Sequence, residues 1–196
     1  MSPLRVAPIA KPDLPGALKD VARLRIDVFR AYPYLYDGDL AYEEQYLAPY
    51  LESPDAIVVG AWDGARLVGV STGAPMEDHA EDFAAPFAAQ GADLSTIFYC
   101  AESVLLPEYR GQGIGGRFFD EREAQARHLG RSFVCFCAVV RPDDHPRRPP
   151  GYQPLDGFWR ARGFAPMPGV TSSYRWRDIG DADESAKPMQ FWGRAL

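Results

Sequence analysis

Cysteine is scarce in this 196-residue chain, which has three, at Cys100, Cys135 and Cys137. Cys135 and Cys137 alternate within one apolar run, so they lie on the same face of a predicted strand, where a disulfide between them would be strained. No Cys-x-x-Cys pair or Cys/His cluster has the spacing of metal ligands. The sequence therefore predicts three free thiols in a reducing compartment, and no metal site.

The chain also lacks a long apolar run and an excess of positive charge. No apolar segment approaches the roughly 18 residues that a membrane-spanning helix needs. The N-terminus, MSPLRVAPIAKPDLPG, is broken by prolines and lacks the apolar core of a signal peptide. A formal net charge of −6 argues against general binding to nucleic acid or to an anionic membrane. We therefore expect a cytoplasmic protein with neither nucleic acid nor membrane as a partner.

The length and the patterns of apolar residues predict one domain, residues 1–196. In chain order they predict a strand, two helices, a hairpin at Asp63-Gly64, a helical insertion near 76–90, a strand, a helix, a strand, a helix and two closing strands. A loop over residues 141–154 contains five prolines, which forbid a helix or a central strand there. This order indicates an α/β or α+β fold, with helices covering a mixed sheet.

A strand, a glycine-rich turn and a helix follow one another from Ile97 to Gly130. Aromatic and β-branched residues favour a strand over Ile97–Leu106, which Pro107 ends. The sequence RGQGIGG follows, and the absence of Gly and Pro predicts a helix over Arg117–His128. A glycine turn that opens a helix leaves several N–H groups unpaired at the positive end of the helix dipole. Such an arrangement binds phosphate.

Two common nucleotide sites fit this turn poorly. Gly111, Gly113 and Gly116 match the spacing G-x-G-x-x-G, but the dinucleotide fingerprint expects the first glycine directly after its strand and an acid at the end of the next. Four residues intervene here, and Phe133–Val140 contains no acid. A triphosphate-binding loop needs Gly-Lys-Ser/Thr, which is absent. A glycine-rich helix start without a ligand stays open as an alternative, although it costs backbone entropy.

Residues 105–115, LLPEYRGQGIG, resemble motif A of the GNAT superfamily of N-acetyltransferases. The core pattern of that motif, Gln/Arg-x-x-Gly-x-Gly/Ala, is met by Arg110, Gly113 and Gly115. Residues 158–164, FWRARGF, are similar to the segment of motif B in which a helix ends at Gly-Phe. The resemblance covers most of the chain and implies the acyl-CoA N-acyltransferase fold, with a mixed, mostly antiparallel sheet of about seven strands that is splayed at the middle. The insertion at 76–90 and the proline loop at 141–154 depart from the family pattern.

The resemblance implies that acetyl-CoA is the co-substrate and that no metal takes part. Backbone N–H groups of the turn would hold its pyrophosphate, and the end of the preceding strand would pair with its pantetheine arm. An acceptor amine would attack the thioester where that strand splays from Phe133–Val140. The cofactor-binding residues implied in this way are Val104, Leu105, Leu106, Arg110, Gly111, Gln112, Gly113, Ile114, Gly115 and Gly116.

Direct attack requires a base, because a primary amine with a pKa of about 10 is mostly protonated at pH 7. Glu102 is the candidate, as the one acidic residue in an otherwise apolar strand, and Tyr99 on the same strand is a second. The alternatives for Glu102 are a structural partner for a buried arginine and a residue that faces the edge of the sheet. Trp159 stands where many family members have a tyrosine that protonates the departing thiolate, and an indole N–H cannot serve as that acid. Tyr152 and Tyr174 could substitute, so the acid stays unassigned.

The acceptor that the resemblance implies is an amine, and we expect the primary amine of a small molecule. Tyrosines that combine an apolar body with a polar tip could line its pocket, with core packing as the alternative. They are Tyr32, Tyr34, Tyr36, Tyr42 and Tyr46. A protein amine, a longer acyl donor and a non-catalytic acyl-CoA sensor are competing hypotheses. The oligomeric state is open, with a homodimer as one expectation.

Overall fold

The computed structural model describes residues 4–79 and 81–196, without the side chains of residues 81 and 82. The strands are β1 Leu4–Pro8, β2 Ile57–Asp63, β3 Arg66–Pro75, β4 Ile97–Tyr99, β5 Ser103–Leu105, β6 Phe133–Val139, β7 Ala165–Trp176 and β8 Ser185–Ala195. The α-helices are α1 Leu14–Phe29, α2 Leu40–Glu52, α3 Glu81–Ala88, α4 Ile114–His128 and α5 Asp156–Ala161. The order predicted from the sequence is confirmed.

The strands form one sheet in the order β1-β2-β3-β4-β6-β8-β7, and β5 pairs with β3 beside β4. All neighbours are antiparallel except β4 and β6. Since β4 and β5 are two halves of one broken strand, the eight strands occupy seven positions. The predicted mixed, mostly antiparallel sheet of about seven strands is therefore confirmed.

Helices cover both faces of the sheet, because each helix has one apolar side to bury. On one face α4 and α5 pack around Phe118, Phe136 and Phe164. On the other face α1 and α2 cover one half of the sheet, and α3 packs with β6 and β8 over the other half. The three cysteines are buried in this core as free thiols, as predicted.

The break between β4 and β5 is a β-bulge. Tyr99 pairs with Ala74 and Ser103 pairs with Ser71, so the broken strand takes one more residue than β3 over the same span. At the bulge the Ala101 N–H donates to the Thr72 carbonyl at 3.0 Å, and the Thr72 N–H donates to the Glu102 carbonyl at 3.0 Å. A bulge bends its strand. The single strand predicted over Ile97–Leu106 is therefore wrong, and its interruption produces the splay.

The splay begins where β4 ends. The Cys100 N–H still donates to the Cys135 carbonyl of β6 at 2.8 Å, but β5 pairs with β3 and not with β6 in the described residues. The bulge thus opens a wedge in the sheet between β5 and the second half of β6.

Several predicted boundaries differ from the structure. Helix α4 begins at Ile114 rather than Arg117, because Gly115 and Gly116 are tolerated in a first turn, where N–H groups need no intrahelical partner. The proline at position 86 predicts an interruption of the helical insertion, but helix α3 continues through it. The sequence predicts the first closing strand over residues 171–177, whereas β7 begins at Ala165, and an irregular register between Pro166 and Thr171 disrupts its alternation. The proline loop contains no helix or strand, as predicted.

Arg122 of α4 supports the bulge from the helix side of the sheet. Its side chain is 1% exposed. The guanidinium Nη1 donates to the carbonyls of Thr72 at 3.3 Å and Glu102 at 3.2 Å, and Nε donates to the Phe118 carbonyl at 3.2 Å. Both sheet carbonyls belong to the bulge and each also accepts a backbone N–H there, so the buried cation adds a second hydrogen bond to each of them.

We expect Arg122→Met to lower the free energy of unfolding by about 2–4 kcal/mol, because it keeps the apolar stem and removes charge-assisted hydrogen bonds to two buried carbonyls. Urea denaturation followed by circular dichroism measures the change. Arg127→Met is the matched control, since Arg127 is an exposed residue of the same helix and its loss should cost no more than about 0.5 kcal/mol. Equal losses in the two variants would contradict a role of Arg122 in holding the bulge.

Candidate functional site

The glycine turn before α4 is left-handed and open on its outer side. Gly111 and Gly113 have φ angles of +75° and +78°, which L side chains rarely adopt. A Cβ built on either residue would meet no heavy atom within 4 Å. The Arg110 Nε donates to the Leu105 carbonyl at 3.2 Å, and the Gln112 side chain donates to the Glu108 carbonyl at 3.3 Å. The Arg110 side chain thus ties the turn to β5, and the Gln112 side chain ties it to the short helical turn Pro107–Tyr109.

The first turn of α4 presents unpaired N–H groups to this open space. Gly113 is the N-cap and supplies no side-chain hydrogen bond. Within the described residues, no backbone carbonyl accepts from the N–H of Ile114, Gly115 or Gly116, whereas the Arg117 N–H donates to the Gly113 carbonyl at 3.2 Å. Three donors at the positive end of a 15-residue helix fit an anion such as a pyrophosphate.

Helix α5 borders the turn with a ring that sequence reasoning missed. The Phe158 ring lies 3.6 Å from a Cβ built on Gly115, and the residue is 38% exposed. The guanidinium of Arg162 lies 3.6 Å from a Cβ built on Gly116 and pairs with Asp120 at 2.6 Å. The large apolar residue that opens the motif B segment, residues 158–164, was the available signal for Phe158.

The pairing of β5 divides the residues predicted to hold the pantetheine arm. The Leu106 N–H donates to the Val68 carbonyl of β3 at 3.0 Å. Because backbone directions alternate along an antiparallel strand, Val104 also faces β3, while Ser103 and Leu105 face the splay. Of the predicted residues, Leu105 thus offers its backbone to the cleft, and Ser103 joins it. Backbone direction repeats every two residues along a strand. From this repeat the sequence could have identified Ser103 as a residue that faces the same way as Leu105.

An aromatic cavity of about 140 Å³ lies where β5 leaves β6. The bulge residues Ala101 and Glu102 line it together with Cys137 of β6. Most of the other lining residues are aromatic. They are Phe29, Tyr34, Tyr36, Tyr42, Tyr46, Phe83, Tyr99, Tyr174 and Trp176. Four of the five tyrosines proposed from the sequence are among them, whereas Tyr32 packs edge-on against Tyr152, with ring centres 4.7 Å apart.

Glu102 is held in a buried ion group that we call the Arg25 cluster, formed by Arg25, Glu43 and Glu102. Arg25 Nη1 lies 2.7 Å from the Glu102 carboxylate, and Arg25 Nε donates to Glu43. The Tyr46 hydroxyl donates to the second oxygen of Glu102 at 3.1 Å. Burial by itself disfavours the charge on Arg25, but the carboxylates of Glu102 and Glu43 outweigh it and raise the pKa of Arg25. Glu102 is thus both a cavity residue and the partner of a buried arginine.

The other polar groups near the splay keep neutral forms at physiological pH. Burial raises the pKa of Tyr99 well above its usual value, and it raises the pKa of Cys137 to about 12. The Tyr99 hydroxyl lies 3.1 Å from the Cys137 sulfur. Burial lowers the pKa of His79 to about 4, and its ring packs edge-on against Tyr99. Tyr99 can therefore donate a hydrogen bond, but its retained proton makes it a poor base.

The three residues considered as the general acid lie in different parts of the structure. The Trp159 ring packs against Phe136 and Trp192, with centroid distances of 4.9 Å and 5.1 Å. Tyr174 lines the aromatic cavity, while Tyr152 packs against Tyr32.

Residues 4–79 and 81–196 contain neither a membrane-spanning helix nor a metal-binding cluster. No helix in that part of the chain is both long and apolar enough to cross a bilayer. The same residues contain no group of three or more His, Cys, Asp or Glu side chains placed to hold a metal ion.

Solved structures share the fold at low sequence identity. A candidate acetyltransferase from Acinetobacter baylyi superposes with a TM-score of 0.65 and 13% identity, over 100% of this chain and 93% of that one. A ribosomal-protein-alanine N-acetyltransferase from Brucella melitensis gives 0.61 and 14%, over 98% and 99%. A candidate acetyltransferase from Salmonella typhimurium, solved with acetyl-CoA, gives 0.60 and 10%, over 98% and 94%.

Sequence comparison identifies the family. No curated protein sequence matches the chain. The model of the acetyltransferase (GNAT) family matches residues 21–149, about two thirds of the chain, including the glycine turn, α4 and the strands on both sides of the splay. The chain therefore belongs to the acetyltransferase (GNAT) family, whose acetyl donor is acetyl-CoA.

Proposed function

We propose that this protein transfers the acetyl group of acetyl-CoA to a primary amine of a small molecule, by direct attack of the amine on the thioester. The observation that supports the proposal is that an open helix N-terminus, an unpaired strand edge and an aromatic cavity all adjoin one break in the sheet. The uncapped turn of α4 and the free edge of β5 lie on one side of this break, and the aromatic cavity with Glu102 lies on the other. One continuous sheet from β1 to β8 supports the further proposal of a single domain.

On the donor side, we assign the pyrophosphate to the turn Arg110–Gly116, with the N–H groups of Ile114, Gly115 and Gly116 as its donors. Ser103 and Leu105 would bond the pantetheine arm as a neighbouring strand does, while Val104 and Leu106 anchor that edge to β3. Phe158 would flank the phosphates. Each of these contacts uses backbone or apolar surface, so the turn needs no additional basic side chain.

On the acceptor side, the amine nitrogen uses its lone pair to form the C–N bond, and the C–S bond breaks with its electron pair on sulfur. The amine proton has to leave, and the carboxylate of Glu102 is the proposed acceptor. Because Arg25 is shared by Glu43 and Glu102, one added proton makes the Arg25 cluster neutral. Tyr99 would donate a hydrogen bond, and a thiolate of pKa about 8.5 can leave without a dedicated acid.

The small volume of the cavity, about 140 Å³, and its aromatic lining support a small molecule over a protein chain as the acceptor. The relative from Brucella melitensis is named for a ribosomal-protein alanine. Peptides should therefore be tested beside small amines as acceptors, by following thiol release from acetyl-CoA. Tight binding of acetyl-CoA without thiol release on any amine or peptide would instead favour a sensor.

Gly113→Glu should weaken acetyl-CoA binding by about 100-fold or more, because a carboxylate beside the pyrophosphate path costs several kcal/mol. Isothermal titration calorimetry measures the dissociation constant. Gly91→Glu is the matched control, since Gly91 also has a left-handed φ, +72°, with nothing within 4 Å of a Cβ. Both variants carry the same backbone strain. Unchanged affinity in a folded Gly113→Glu protein would refute the phosphate assignment.

Glu102→Gln should lower kcat by about 100-fold, because general base catalysis contributes at least that much. Arg25 keeps Glu43 as a partner in this variant, so the fold should survive and acetyl-CoA affinity should not change. The pH–rate profile should lose its acidic limb. Glu52→Gln, at an exposed position in α2, is the control. A kcat and a pH profile equal to those of the control would remove Glu102 as the base.

A further inference from the structure

The geometry points to a narrower acceptor class: an amine carried on a flat apolar ring, with no carboxylate or other anionic group. We infer that the Arg25 cluster attracts the ammonium of this acceptor and that the aromatic walls take its ring. The inference rests on the proposed function and adds the chemistry of the acceptor to it.

The size and lining of the cavity favour a ring. Nine of its fifteen lining residues are aromatic, and these rings support one another. The rings of Phe83 and Tyr174 are tilted by 31° with centroids 4.6 Å apart, and those of Phe29 and Tyr34 by 46° with centroids 4.5 Å apart. A cavity of about 140 Å³ resembles the roughly 150 Å³ space that holds one benzene molecule in another protein. A flat ring can occupy this cavity with little loss of conformational entropy. A flexible polyamine would lose more conformational entropy on binding.

The charge of the Arg25 cluster favours a cation. Glu43 is 0% exposed, and Glu102 and Arg25 are each 6% exposed. Two carboxylates share one guanidinium, which gives the Arg25 cluster a formal charge of −1; the buried Arg122 approaches Glu102 from the other face of the sheet, at its backbone carbonyl, at 3.2 Å. Burial and the Glu43 carboxylate raise the pKa of Tyr36, another wall residue, which is consistent with a negative potential here. An unbalanced buried charge is costly. An ammonium that enters the cavity would therefore be stabilised by the excess carboxylate charge of the Arg25 cluster.

The same charge disfavours an acceptor that carries a carboxylate. Arg25 already contacts both Glu43 and Glu102, so a third anion would have to compete with two buried carboxylates for the same guanidinium. The other arginine that lines the cavity, Arg175, is exposed and donates to the Glu184 carbonyl at 3.0 Å. An aromatic amino acid would therefore bring its carboxylate towards the cluster together with its amine. A simple arylalkylamine has no such penalty.

Three amines test the inference on the intact protein with saturating acetyl-CoA, by following thiol release. They are 2-phenylethylamine, phenylalanine (the same ring and amine with a carboxylate) and hexylamine (the same amine without a ring). We expect kcat/KM for 2-phenylethylamine to exceed that for phenylalanine by about 100-fold, as buried like charges cost several kcal/mol, and that for hexylamine by about tenfold. A kcat/KM for phenylalanine or hexylamine that equals or exceeds that of 2-phenylethylamine overturns the inference.

Binding without chemistry tests the charge separately. Trimethyl(2-phenylethyl)ammonium keeps the ring and the cation but cannot be acetylated, and 3-phenylpropanoate carries the opposite charge. The ammonium compound should compete with 2-phenylethylamine, and the propanoate should not. The reverse order of inhibition would show that the cavity selects anions and would overturn the inference.

Glu43→Gln removes the excess charge at a position that does not line the cavity. We expect KM for 2-phenylethylamine to rise about tenfold, by loss of one buried charge interaction, with an unchanged dissociation constant for acetyl-CoA. Glu44→Gln, at the adjacent exposed position, is the control. An unchanged KM in folded Glu43→Gln protein counts against the inference, and the inhibitor pair decides if this variant does not fold.

Failure of this inference can be told apart from failure of the proposed function. If acetyl-CoA does not bind, or no amine releases thiol, the proposed function fails and takes the inference with it. If acetyl-CoA binds and the protein prefers carboxylated or ringless amines, the transferase stands and only the acceptor class is wrong.

Discussion

One extra residue at the bulge of Ala101 and Glu102 creates the geometry on which both parts of the site depend. It turns β5 away from β6, which frees the backbone of Ser103 and Leu105 along one edge of the wedge. It also brings the Glu102 side chain into the aromatic cavity. The buried guanidinium of Arg122 supports the bulge from the other face of the sheet, because it donates to the Thr72 and Glu102 carbonyls in addition to the backbone N–H groups that they accept.

Glu102 connects the two faces of the sheet. Its backbone carbonyl accepts from Arg122 of α4, and its carboxylate pairs with Arg25 of α1. Two buried arginines therefore hold one residue from opposite sides. These contacts fix the edge of β5, which is proposed to bind acetyl-CoA, relative to the Arg25 cluster, which is proposed to attract the acceptor amine. The surplus carboxylate of the Arg25 cluster then gives one physical basis for both attracting an ammonium and removing its proton.

Much of the fold could be predicted, because local patterns carry it. The hairpin at Asp63-Gly64 and the cap of α2, where Asp39 accepts from the Tyr42 N–H at 3.0 Å, follow from residues close in the chain. The glycine turn and its approach identified the family. The bulge was missed because one added residue leaves the composition of a strand unchanged. Glu43 was missed because its burial depends on Arg25, which lies 18 positions away on another helix.

The central claim is that acetyl-CoA bonds the backbone at the α4 turn and at the free edge of β5. Amide hydrogen exchange by NMR, with and without CoA, tests it residue by residue. The account predicts slower exchange at Ile114, Gly115 and Gly116 and at Ser103 and Leu105. It predicts little change at Leu106, whose N–H already donates to β3. Saturation with CoA without slowing at the turn or at the strand edge would contradict it.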